Sequence, residues 1–145
     1  MPEGRDRVVI KYMPSIFTKI INREIPAEIV WENEKYLAFL DIKPLNPGHL
    51  LLVPKKEISY VFDMNDSDYQ EIMMMAKFLA KPLQEATQAK RIGLSIQGLE
   101  IDHVHIHLVP INEPGDMDSN HAKQATDQEL ADMAKKIKTA IRLHQ

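Results

Sequence analysis

Two hydrophobic periods alternate along this chain, one of 3.6 residues and one of two, and together they predict its elements. Ser15 stands as a helix cap before Ile16, Phe17, Ile20 and Ile21, a short helical stripe that must end before Pro26. Glu28 to Trp31 and Tyr36 to Leu40 read as strands, separated by the polar Glu32-Asn33-Glu34-Lys35. Pro44, Asn46, Pro47 and Gly48 form a turn cluster, and His49 to Val53 is a third strand stopped by Pro54. Ser67, with Gln70 three residues later, forms the pattern of a capping box. Tyr69, Ile72, Met73, Ala76, Leu79, Ala80 and Leu83 then keep the spacing of a long helix. Pro82 is expected to kink or end that helix, because it cannot donate to the Phe78 carbonyl. Met73-Met74-Met75 lies within it and reads as helical core packing.

A fourth strand, Arg91 to Gln97, is followed by a turn at Gly98 and by the run His103-Val104-His105-Ile106-His107-Leu108-Val109-Pro110. A loop rich in Pro, Gly, Asp and Asn follows from Asn112 to Asn120. Asp127 to Leu143 carries a last amphipathic stripe of Leu130, Met133, Ala134, Ile137 and Ile141. Strands joined by hairpin-length turns, with helices set apart, predict an α+β fold with an antiparallel sheet. The first dozen residues show no helical pattern, so the expected division is an N-terminal extension over 1–14, a domain over 15–120 and a C-terminal helical extension over 121–145.

Composition narrows the class. With 145 residues the chain is long enough to bury one core without metals or cross-links. Its net charge of −3, with acids and bases interspersed, leaves no basic footprint for nucleic acid or an anionic membrane. No apolar run approaches the roughly 20 residues of a membrane span, and no signal-peptide pattern opens the chain. The chain has no cysteine, which excludes disulfides and thiolate catalysis and fits a reducing, cytoplasmic location. Any metal site would have to use histidine and carboxylate.

The histidine run carries the chemistry. On a strand, His103, His105 and His107 project from one side and Val104, Ile106 and Leu108 from the other. Alternate strand residues lie ~6.6 Å apart, so neighbouring imidazoles can reach one small group between them. Two uses compete: a three-histidine zinc site with an open position, or phosphoryl chemistry on a neutral imidazole nucleophile. Histidine suits the second because both of its protonation states coexist near neutrality. Spacing alone does not separate the two.

The run matches the alternating signature of the histidine triad (HIT) nucleotide-binding proteins, and the chain resembles that family in three more blocks. These are Ile16 to Ile21 with Glu24-Ile25-Pro26, Tyr36 to Ile42, and Gly48 to Lys56, in the family's order and spacing. The resemblance implies a HIT-like five-stranded antiparallel sheet with a long helix packed on it, the last helix being additional. It implies a nucleotidyl hydrolase, with His105 as nucleophile towards the α-phosphate of a purine nucleoside 5′-phosphoramidate. His107 matches the position at the α-phosphate and leaving group, His103 the position that orients the nucleophile, and His49 a fourth histidine at the edge of the phosphate site. Asp41 matches a ribose contact, and Ile42, Ile16, Phe17, Ile20 and Ile25 match the apolar slot around the base. Read locally, His49 is a turn residue, Asp41 a turn cap, and the apolar side chains core.

The family's Asn- and Gly-rich segment before the histidines is replaced here by the short Gln97 to Asp102, with Glu100 three positions before His103 as a candidate site residue. The third histidine favours hydrolysis over transfer to a second phosphate. Dinucleoside polyphosphate hydrolysis and a non-catalytic zinc- or nucleotide-binding regulator are the alternatives. No cofactor is required on this reading; if zinc bound, its candidate ligands would be His49, His103, His105 and His107. The expected partners are a purine nucleotide or nucleotide conjugate and a second copy of the chain, with neither nucleic acid nor membrane.

Overall fold

A computed structural model describes residues 14–145 of the chain. The expected N-terminal extension therefore lies, apart from Pro14, outside the described residues. The elements run α1 (Ile16–Ile21), β1 (Ile29–Glu32), β2 (Tyr36–Leu40), β3 (Leu50–Pro54), α2 (Asp66–Thr87), β4 (Arg91–Ser95), β5 (Ile106–Ile111) and α3 (Asp127–Leu143). All five strands join one sheet in the order β1-β2-β3-β5-β4, and every neighbouring pair is antiparallel. β1 to β3 form a meander. The chain then crosses through α2 to the far edge, and β5 returns between β3 and β4.

This order explains why β2 and β3 are continuous apolar runs. Both are central, and every residue of Tyr36–Leu40 and Leu50–Pro54 is buried. Tyr36, Ala38, Leu40, Leu50, Leu52, Ile106 and Leu108 face α2 and α3, where they meet Ile72, Leu79, Leu83, Ala134, Ile137 and Ile141. Leu37, Phe39, Leu51 and Val53 face the other way, onto Phe17 and Ile20 of α1. The sheet thus has a thick helical layer behind it and one short helix in front.

The elements fall where the hydrophobic periods place them, apart from one-residue shifts of β1 and β3, the latter taking in Pro54, and four further local differences. α2 starts at Asp66 and is capped by Asn65, whose side chain accepts from the Asp68 N–H at 2.8 Å. The Ser67–Gln70 pair sits within the helix instead of capping it. Pro82 does not end α2, which runs on to Thr87. Leu79, Pro82 and Leu83 are buried together, and that apolar burial offsets the lost backbone hydrogen bond. β4 stops at Ser95, two residues short of the expected Gln97. β5 begins only at Ile106, so His103 and His105 precede the strand. Their alternation survives all the same, with Val104, Ile106 and Leu108 on the helical side of the sheet. α3 spans its predicted range and carries the capping box of Thr126 and Glu129.

Candidate active site

Four histidines and one carboxylate meet on the α1 side of the sheet, at the joint between β3 and β5. Leu51 pairs with His107 and Leu50 with Leu108. This register sets His49, one residue before β3, beside the imidazole of His107. Gly48 makes the approach to His49 with φ +95°, and a Cβ there would come within 2.6 Å of the Thr87 side chain. Asp41 directly follows β2, and its N–H donates to the His49 carbonyl at 3.0 Å.

Hydrogen-bond partners that can only donate or only accept fix the protons on these rings. The Leu45 backbone N–H lies 3.0 Å from His49 Nδ1, so that nitrogen accepts and the proton of neutral His49 sits on Nε2. His49 Nε2 lies 2.9 Å from His107 Nδ1, which therefore accepts in turn, leaving the His107 proton on Nε2. His105 Nδ1 lies 2.7 Å from the His103 carbonyl oxygen, so it donates, and the lone pair of neutral His105 is on Nε2. His103 Nε2 donates to the Pro54 carbonyl at 2.8 Å, while its Nδ1 accepts from the Ser15 hydroxyl at 2.6 Å.

Burial supports the neutral forms of His49, His103 and His107. It pulls both His49 and His107 down to about 4, and for His107 the neighbouring His49 and His105 push the same way while Asp41 opposes them. His103 is lowered chiefly by burial, partly countered by the Pro54 carbonyl and Glu57. Burial raises Asp41, against the Lys43 N–H bonded to its Oδ1 and the nearby His107 and His105. The ring centroids of His105 and His107 are 4.9 Å apart, and Phe17 packs its ring against His105 at 4.9 Å. The arrangement presents one basic nitrogen, on His105, beside one N–H donor, on His107.

The donor set fits a resident zinc poorly. Asp41, His49 and His107 do bring one ligand atom each within 4.8 Å of one another. A metal-bound imidazole, however, gives its other nitrogen's proton to an acceptor. The other nitrogen of His49 faces the Leu45 N–H, itself a donor, so a metal on Nε2 would set donor against donor. His103 has both nitrogens engaged. The structure thus corrects the four-histidine ligand set: among the described residues His49 and His107 join Asp41, and neither His103 nor His105 does.

The remaining expected residues divide by exposure. Phe17 and Ile20 are core, Ile25 is half-buried against them, and Ile16 and Ile42 remain 49% and 57% exposed. Glu100 is exposed in the loop ahead of the histidines and has no hydrogen bond or ion pair among the described residues. Sequence reasoning missed Glu57, whose carboxylate accepts from the Ser15 N–H at 2.6 Å and the Thr18 hydroxyl at 2.9 Å. It also missed the partner of the Ile42–Pro44 loop, because Ala125 N–H donates to the Ile42 carbonyl and Lys123 N–H to that of Pro44. A cleft of about 570 Å³ lies between that loop and α3, touching Asp41 and His49 but none of the three triad histidines.

Known proteins share this sequence and architecture. An uncharacterized HIT-like protein of Methanocaldococcus jannaschii is 35% identical over 133 residues, covering 85% of this chain and 98% of that protein. Adenosine 5′-monophosphoramidase of Saccharomyces cerevisiae is 40% identical over 96 residues, covering 66% of this chain and 61% of the yeast protein. A Hit-like protein of Bartonella henselae, described as involved in cell-cycle regulation, superposes with a TM-score of 0.76 at 30% identity, over 87% of this chain and 95% of its own. A hypothetical histidine triad nucleotide-binding protein of Sulfolobus tokodaii gives a TM-score of 0.77 at 28% identity, over 88% and 92%. The family model for the HIT domain matches residues 22–113, which contain β1 to β5 and all four site histidines, and the chain belongs to that family.

Proposed function

We propose that this protein hydrolyses a purine nucleoside 5′-phosphoramidate at its α-phosphate, through a nucleotidyl intermediate on His105. The observation that carries the reading is the hydrogen bond from His105 Nδ1–H to the His103 carbonyl, which leaves the Nε2 lone pair as the nucleophile. Nε2 attacks phosphorus, a P–N bond forms, and the bond from phosphorus to the leaving nitrogen breaks. The leaving nitrogen takes a proton that solvent supplies by way of His107 and departs as an amine, and the water of the second step returns a proton to solvent. Water then attacks the nucleotidyl-histidine, releasing the nucleoside monophosphate and returning His105 to its neutral form.

His107 serves as the donor to developing charge because its Nδ1 is already occupied by His49. Asp41 Oδ2 accepts from a ribose hydroxyl, and Ile16 and Ile42, both exposed, flank the base with Phe17 and Ile20 behind. Glu100, in the loop before the histidines, lies on the leaving-group side. The name of the yeast relative supports the phosphoramidate over a dinucleoside polyphosphate. The working unit on this reading is a cytoplasmic homodimer, with residues 15–120 forming the HIT domain and 121–145 a C-terminal addition. AMP release from adenosine 5′-phosphoramidate, compared between the wild type and His105→Ala, tests the reading. Release by the wild type alone supports it. No release by a folded wild type overturns it and directs the assay to dinucleoside polyphosphates.

A further inference from the structure

Resting on that reading of His105, we propose that Glu57 is a positioning residue for the nucleophile, acting through Ser15 and α1. Glu57 lies just beyond β3, in Lys55-Lys56-Glu57-Ile58, and is 42 positions from Ser15 in sequence. Its Oε1 accepts from both the Ser15 N–H and the Thr18 hydroxyl, so one carboxylate oxygen clamps the first turn of α1. That turn brings two groups to the histidines. The Ser15 hydroxyl donates to His103 Nδ1 at 2.6 Å. Phe17 packs edge-on against the rings of His103 and His105, with centroids 5.8 and 4.9 Å away.

α1 has only six residues, too short to hold its place by helix formation alone. Its seat depends on tertiary ties, and Glu57 supplies two of them. His103 is in turn fixed at three points: Ser15 on Nδ1, the Pro54 carbonyl on Nε2, and the Ile101 carbonyl on its backbone N–H. Its own carbonyl then receives the His105 Nδ1–H that keeps the nucleophilic lone pair on Nε2. The Glu57 carboxylate also lies 3.7 Å from His103 Nδ1, so its negative charge stands behind the ring that backs the nucleophile. When His105 bonds to phosphorus its ring becomes cationic, and this charge favours that state. The Ser15 and Thr18 donors hold Glu57 ionised, outweighing the upward push of its burial.

Geometry and charge are separable. Glu57→Gln keeps an acceptor oxygen and removes the charge, Glu57→Ala removes both, and Ser15→Ala removes the hydroxyl contact to His103 together with the cap on the Thr18 N–H while leaving Glu57 in place. Steady-state hydrolysis of adenosine 5′-phosphoramidate is expected to show kcat lower by on the order of tenfold in Glu57→Ala, with KM within about threefold. Glu57→Gln should recover the part due to geometry. In parallel, NMR of the ligand-free proteins reads the solvent exchange of the His105 Nδ1 proton, which should quicken severalfold in Glu57→Ala and in Ser15→Ala. The exchange measurement needs no substrate, so a wild type inactive on the phosphoramidate leaves this arm intact and counts against the functional reading alone. A folded Glu57→Ala with wild-type proton exchange, or with lower Tm but wild-type kcat, overturns the positioning role.

Discussion

His49 Nε2 and His107 Nδ1 lie 2.9 Å apart, and the Leu45 N–H on the far side of His49 decides which of the two donates. A single backbone amide therefore sets the proton order of two imidazoles and leaves His107 with an outward N–H. His49→Gln offers a ring-free test. Glutamine can donate to His107 Nδ1 through its amide but cannot receive the Leu45 N–H at the same point, so the order is only half held. kcat should fall by about tenfold to a hundredfold, the range of one mispositioned acid–base group. A 15N NMR spectrum should show His107 as a mixture of tautomers instead of the Nε2–H form alone.

The same burial links this pair to stability. The folded-state values of His49 and His107 are both lowered, to about 4, from an ordinary value near 6.5. Between those values the unfolded chain binds protons that the folded chain refuses, so stability rises with pH across the window. The stabilisation is fully present above about 6.5 and is lost as pH falls towards 4. Thermal unfolding followed from pH 7 down to 5 should show a falling Tm before most carboxylates titrate. His49→Asn with His107→Asn should flatten that slope, and an equal slope in the double variant would assign it to other groups.

The histidine row was legible because a two-residue period reads directly as one face of an extended chain, whether or not the backbone bonds count as strand. His49 and Asp41 were reachable only through resemblance, since each by itself is an ordinary turn residue. The clamp by Glu57 was not legible. It joins Ser15, Glu57 and His103 across separations of 42 and 88 positions, and no local pattern marks such a contact. Pro82 does not end α2 for a related reason: the rule concerns a helix in isolation, whereas Leu79 and Leu83 bury this one on both sides of the proline.

Ile137 is wholly buried in the cluster that joins α3 to α2 and the sheet. Truncating it removes methyl groups from a packed site, and Ile137→Ala should cost about 2–5 kcal/mol of stability. Urea unfolding with a conserved m-value would show this directly. A loss below roughly 0.5 kcal/mol, the level of a surface change, would mean that α3 contributes little to the core.

A chelator test follows from the donor clash at His49. Protein prepared without a histidine tag and treated with EDTA should keep its full hydrolytic rate, and added zinc should inhibit only at concentrations that break the Leu45–His49 bond. Leu45→Pro removes that N–H and should increase zinc affinity, as read by calorimetry. Tight stoichiometric zinc in the wild type would show instead that the loop before Gly48 rearranges to free His49 Nδ1.

Asp41 is the residue through which sugar selectivity should be measured. Its Oδ1 already accepts the Lys43 N–H, and Oδ2 sits 3.7 Å from His49 Nε2, too far for a hydrogen bond between them. Oδ2 is thus the oxygen with capacity for a hydroxyl donor. A charge-assisted hydrogen bond contributes about 1.5–3 kcal/mol, equivalent to roughly tenfold to a hundredfold in affinity. The wild type should accordingly prefer a ribonucleoside phosphoramidate over its 2′,3′-dideoxy analogue by that factor in kcat/KM. Asp41→Asn should lose most of the preference while hydrolysing the dideoxy compound at close to the wild-type rate. Equal discrimination by the variant would place the ribose elsewhere and leave Asp41 as a cap for the turn at Lys43.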